Sequence, residues 1–135
     1  MDILRRNTDY ALRLMIGLAK RYGDGAASTR VLAEEQEVSY QLACKLMQRL
    51  HDARLVESSM GPKGGFRLGR EPGRINLLKV VEVIQGPVRL NRCLLSDTAC
   101  PRGGKCPIRA RISELQGHME QYLQSVTLKE LTIDK

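Results

Sequence analysis

Apolar residues recur at helical spacing from the N-terminal end of the chain. Ala11, Met15, Leu18 and Tyr22 fall on one face of residues 8–22, with Leu12, Ile16 and Ala19 on the next. Thr8 is placed to cap this helix, and Gly23-Asp24-Gly25 ends it. Ser28 or Thr29 then caps a short helix reaching Glu35, with Val31, Leu32 and Ala33 expected to face inward. A turn at residues 36–38 leads to Ser39, which caps a third helix reaching Arg54. Leu42, Ala43, Leu46, Met47, Leu50 and Ala53 form its apolar stripe, leaving Gln41, Lys45, Gln48, Arg49 and Asp52 outside.

The period then changes. Leu55–Met60 and Phe66–Leu68 are short extended runs joined by Gly61-Pro62-Lys63-Gly64-Gly65, which reads as a β-hairpin. Asn76 caps a fourth helix from Leu77 to Ile84, stopped by Gly86-Pro87. Residues 88–106 have no period, and loops of that length tend to be functional or disordered. The last long helix spans residues 107–126. Ile108, Ile112, Leu115, Met119, Tyr122 and Val126 are spaced 4, 3, 4, 3, 4 along it, a heptad seam that seeks a partner helix. Thr127 and Glu130 fit a capping box for a short terminal helix.

These elements predict a mainly α fold with a small β-hairpin wing: a winged helix-turn-helix followed by a long dimerisation helix. Residues 1–86 would be the DNA-binding region, 87–106 a cysteine loop, and 107–135 the dimerisation and terminal helices. With four tyrosines, one phenylalanine and no tryptophan, the core must be built from aliphatic residues, which suits helices. No stretch is apolar enough to span a membrane, and the N-terminus lacks a signal-peptide pattern. The expected place is the cytoplasm, where cysteines serve as thiols or metal ligands rather than disulfides.

Charge sharpens the picture. The chain carries a formal net charge of +7. Residues 1–38 hold six basic and six acidic side chains, whereas residues 39–74 hold seven against three and residues 85–111 six against one. Concentrated basic excess is the footprint of a phosphate-rich partner, although charge alone also suits a solvated surface. Ser28, Thr29 and Ser39 at helix starts are natural phosphate-backbone positions. Tyr40, Gln41 and Lys45 lie near the start of the third helix, where side chains can reach base edges in the major groove. Lys63 and Arg67 give the hairpin the basic character a wing needs. Taken singly, each is an ordinary cap, solvated face or turn; their order along the basic segment favours a double-stranded DNA partner.

Three of the four cysteines, Cys93, Cys100 and Cys106, lie in the loop with six and five residues between them. Thiolates suit iron–sulfur clusters, zinc and copper(I), but structural zinc usually takes tightly spaced cysteine pairs. Wide gaps across Gly103 and Gly104 suit a cluster, and the arginines and lysines around them offset its negative charge. Cys44, within the third helix, is expected to fill the core, and His51 and His118 to be structural. No nucleophile–base pair, phosphate loop or paired-carboxylate motif indicates an enzyme or a small-molecule substrate.

Thr8-Asp9-Tyr10-Ala11-Leu12-Arg13, then Ser39-Tyr40 with Ala43, Lys45 and Leu50, then Gly61 with Gly64-Gly65-Phe66 and Leu68, resemble a specific winged-helix regulator family. It includes the iron–sulfur-cluster biogenesis regulator and the nitric-oxide-sensing repressor. Residues 75–86 match as well, so the resemblance covers essentially the whole chain. It implies a homodimeric repressor reading a roughly palindromic operator, with an iron–sulfur cluster beside the dimer helices sensing nitric oxide, iron or redox state. In the biogenesis branch a histidine follows the last cysteine by three residues; here that position is Arg109. The nitric-oxide branch instead implies Asp9 as fourth ligand, reaching over from the other subunit, and with it a 4Fe–4S rather than a 2Fe–2S cluster. Without that inheritance, Asp9 is simply an acid favourable at a helix N-terminus. The alternative within the class is a zinc or bare-thiol switch.

Overall fold

The computed structural model describes residues 3–91, 94 and 105–133. Among the described residues, six α-helices and one hairpin follow in order, with a short 3-10 turn at Pro72–Arg74 before α4: α1 Arg6–Lys20, α2 Thr29–Glu35, α3 Tyr40–Asp52, β1 Val56–Ser59, β2 Gly65–Leu68, α4 Leu77–Gln85, α5 Pro107–Ser125 and α6 Leu128–Leu131. The core sits where α1, α3 and α4 converge, with Leu14, Met15, Leu46, Met47, Leu50, Val80 and Val81 all essentially sealed from solvent. Apolar residues three and four apart on each helix supply this packing, as their spacing requires.

Ser28 and Ser39 cap α2 and α3 as expected, their hydroxyls accepting from the Val31 and Leu42 amides at 3.1 and 3.3 Å. Thr8 does not cap α1. The helix starts earlier, at Arg6, and Thr8 is completely buried inside its first turn, donating to Gln85 Oε1 at 2.6 Å. Gln85, the last residue of α4, also accepts from the Arg5 amide at 2.9 Å and donates to the Ile3 carbonyl at 2.9 Å. A side chain from another helix therefore supplies the acceptor that a local cap would have given. At its other end α1 stops at Lys20, leaving Tyr22 outside it and exposed. Val31 likewise faces out, 42% exposed, while Leu32 and Ala33 carry the inward face of α2.

The hairpin pairs Val56 with Leu68, Glu57 with Arg67, Ser58 with Phe66 and Ser59 with Gly65. It is moored to the segment before α2 by reciprocal Ala27–Phe66 backbone hydrogen bonds of 2.8 Å. Gly65 is required there: its φ is 146°, and a Cβ would meet the Ala27 carbonyl oxygen at 2.2 Å. The close approach of backbones fixes the wing beside the helix-turn-helix.

After α4 the chain reaches α5, whose only buried residues are Gln116 and Leu123. It then returns to the core: Leu77 N–H donates to Val126 O at 2.8 Å, Leu128 N–H to Ile75 O at 3.0 Å, and Leu128 is fully buried against the central cluster. Thr127 makes no side-chain cap to α6, so the expected capping box is not formed.

Candidate nucleic-acid interface and cysteine-loop anchors

The stripe from Ala43 to Leu50 holds α3 against the core, so helical geometry turns its other side to solvent. Tyr40, Gln41, Lys45, Gln48 and Arg49 are all exposed. Gln48 donates to Asp52 at 2.9 Å, and Arg49 donates to the Val83 carbonyl at 3.4 Å, leaving Gln41 and Lys45 as the outward donors nearest the helix start. Cys44 shares this outward side. It is exposed, not core filler, because it falls one position beyond Ala43 and off the 43–46–47–50 stripe. Ser28 and Ser39 are occupied as caps, while Thr29 opens α2. Tyr40 lies beneath the guanidinium of Arg30, 4.4 Å from its ring centroid, a residue the sequence pattern does not mark.

Lys63 is exposed in the turn between the strands. Arg67 is placed differently. It sits within β2, cross-strand from Glu57, and its Nε lies 3.3 Å from the Glu57 carboxylate.

Of the expected cluster ligands, Cys93 and Cys100 lie outside the described residues. Cys106 is half-buried and occupies the N-cap position of α5, followed by Pro107 at the first helical position. Asp9 is on the exposed side of α1, where Arg13 Nη2 lies 3.1 Å from its carboxylate. Among the described residues, no group of three or more histidines, cysteines and carboxylates is gathered into a metal site.

Both ends of the cysteine loop rest on α5. Cys106 starts that helix, and the chain at 88–90 is held by Gln116, only 7% exposed. Gln116 Oε1 accepts from Leu90 N–H at 2.9 Å, and its Nε2 donates to the Val88 carbonyl and, at 2.8 Å, to Glu120. Arg89 Nη1 reaches the same Glu120 carboxylate at 3.3 Å. A single glutamine inside a helical pattern carries no sequence signal for such a role, because its partners lie 26 and 28 residues away.

The family profile of Rrf2, described as an iron-dependent transcriptional regulator, matches residues 4–134. The chain belongs to the Rrf2 family. It is 31% identical over 122 residues to the HTH-type transcriptional regulator IscR of Xenorhabdus nematophila, covering 90% of this chain and 74% of that one. It is 30% identical to NsrR of Shouchella clausii, covering 95% and 87%, and 32% identical to CymR of Bacillus subtilis, covering 90% and 83%. The solved structure of B. subtilis CymR, described as the global cysteine regulator, superposes with a TM-score of 0.80 at 29% identity, covering 98% of this chain and 97% of that one. That of IscR from T. potens gives 0.76 at 26%, covering 95% and 85%. Rrf2 proteins are DNA-binding transcriptional regulators, not enzymes, and the winged-helix architecture is theirs. In this Rrf2 regulator no helix among the described residues is long and apolar enough to cross a membrane.

Proposed function

We propose that this Rrf2 regulator is a homodimeric, cytoplasmic repressor whose operator binding is controlled by an iron–sulfur cluster. The observation that carries the DNA side is the outward face of α3, where exposed Gln41 and Lys45 lie near the helix start beside a wing tethered at Ala27. Gln41 would read a base edge, Lys45 either a base or a phosphate, and Ser28, Thr29, Ser39, Lys63 and Arg67 would follow the phosphate backbone. Ile108, Leu115 and Tyr122 are 66, 54 and 68% exposed on α5, an apolar seam that a second copy's α5 would cover.

Cys93, Cys100 and Cys106 would hold the cluster with Asp9 from the second copy. Three soft thiolates and one carboxylate suit iron–sulfur chemistry, and the exposure of Asp9 permits reach away from its own chain once Arg13 shares it. When bound, a cluster supplies a centre reactive towards nitric oxide and oxidants. The chain itself ties the loop to the reading unit: Gln116 holds residues 88–90, and Gln85, immediately before Gly86, holds the start of α1 on which Asp9 sits. A change in how the loop is held is thus placed to act on α1 and α4, and through Arg49 and Val83 on α3.

Likeness to the cysteine regulator CymR, together with the exposed thiol of Cys44, favours a second reading in which thiols act without a cluster. Anaerobic reconstitution with iron and sulfide counts and visible absorbance separates them. Cluster loading in wild type and in Cys44→Ser, but not in Cys93→Ser, Cys100→Ser or Cys106→Ser, is the expected result. Asp9→Ala should assemble a labile cluster. Full loading in any loop variant would remove that residue from the ligand set.

A further inference from the structure

Six arginines among the described residues meet carboxylates. Arg13, Arg21, Arg67, Arg74, Arg89 and Arg111 each pair with an aspartate or glutamate. Arg30 does not. Its guanidinium carbon lies instead 4.4 Å from the centroid of the Tyr40 ring, well inside cation–π range, and both residues are exposed. A ring face, unlike a carboxylate, leaves the guanidinium charged and does not use up its five N–H donors. The ring therefore holds a cation in place without neutralising it, at the start of α3.

A paired arginine must first give up its carboxylate to reach a phosphate, a modest cost where the pair is exposed. An arginine held on an aromatic face has its side-chain freedom already restricted and its charge available, which is the arrangement that favours a planar, bidentate contact to a phosphate. Glu34, one turn further along α2, is positioned by sequence to neutralise Arg30 but is not its partner.

We infer that Arg30 is a DNA phosphate contact and that Tyr40 is the residue that positions it, rather than a base reader in its own right. This rests on the DNA-interface reading of α3. Its chemistry explains an exposed tyrosine, 45% accessible, at the first position of a recognition helix.

The test is fluorescence anisotropy of a labelled random-sequence duplex over a sodium chloride series. It compares wild type, Arg30→Ala, Tyr40→Ala, Tyr40→Phe, the Arg30→Ala/Tyr40→Ala double variant, and Lys63→Ala, with folding checked by circular dichroism. Arg30→Ala should lower the slope of log affinity against log salt by about 0.9 per bound protomer. Tyr40→Phe should behave as wild type, since the ring face remains. Tyr40→Ala should weaken binding alone and add nothing in the Arg30→Ala background. A normal slope in Arg30→Ala would overturn the contact, whatever Lys63→Ala does. Equal losses from Tyr40→Ala in both backgrounds would overturn its positioning role and make it a contact itself. A wild-type protein that retains no duplex would sink the DNA-interface reading together with this one.

Discussion

Replacing Gln116 with leucine should destabilise the protein by about 2–3 kcal/mol and loosen the entry to the cysteine loop. The glutamine is 7% exposed and satisfies one backbone donor, Leu90 N–H at 2.9 Å, and one backbone acceptor, the Val88 carbonyl. Val88 is itself buried, so its carbonyl has little water to turn to. Each buried backbone group left unpaired costs about 1–3 kcal/mol. Against this, the added apolar burial of leucine returns about 1 kcal/mol. Leu90 is only half-buried, so water can recover part of its loss, which brings the net into the stated range. For a chain of this size each kcal/mol moves the melting midpoint by about 3–5 °C, so a drop of about 6–15 °C is expected at fixed protein concentration. Gln116→Glu should be no better, because a second carboxylate would face Glu120 and the donor to Val88 would be gone. Urea unfolding gives the free energy, and hydrogen exchange at Leu90 gives the local effect. A Gln116→Leu variant within about 0.5 kcal/mol of wild type, with unchanged Leu90 exchange, would refute the claim that this side chain pins the loop.

Lys63→Ala should reduce the operator-binding salt slope by about 0.9, and Arg67→Ala by less, since Glu57 already holds Arg67; equal reductions would show that DNA displaces Glu57. Gln41→Ala should relax discrimination at one base position by about 1–3 kcal/mol, and a uniform loss over all sequences would make it a backbone contact. Charged replacements at both Leu115 and Met119 should yield monomers by sedimentation, because like charges would meet across the seam; a persistent dimer would place the interface elsewhere. Hydrogen bonding from Arg21, with its nearby positive charge, lowers the Glu35 carboxyl below its ordinary range. That contribution to folding is present at neutral pH and is lost as pH falls through the depressed value. Glu35→Gln should therefore flatten the acid limb of stability against pH, slightly for so exposed a pair; an unchanged limb would contradict it.

Periodicity made α3 and the hairpin legible because both are local: the α3 stripe follows a 3.6-residue period, and the glycines mark a turn. What stayed hidden depends on long-range partners. Thr8 reads as a cap because caps are local, yet its acceptor is 77 residues away at Gln85. Cys44 reads as core from its side chain, although the phase of its own helix turns it outward. Val31 belongs to a helix of seven residues, too short for its apolar count to fix a face. Arg30 and Gln116 became visible only through an aromatic ring and a loop backbone brought beside them. The heptad positions on α5 divide: Ile108, Leu115 and Tyr122 are exposed, whereas Ile112, Met119 and Val126 are half-buried in the chain's own fold.

An iron–sulfur cluster that controls DNA binding must change operator affinity when it is damaged. The most direct test is the affinity of anaerobically reconstituted protein for an operator selected by that protein from a random pool, at one salt concentration, before and after nitric oxide. Nitric oxide should change the affinity of wild type, whereas Cys93→Ser, Cys100→Ser and Cys106→Ser should show a single, unresponsive value. Equal affinity before and after treatment, with cluster loading confirmed by iron and sulfide counts, would contradict cluster control.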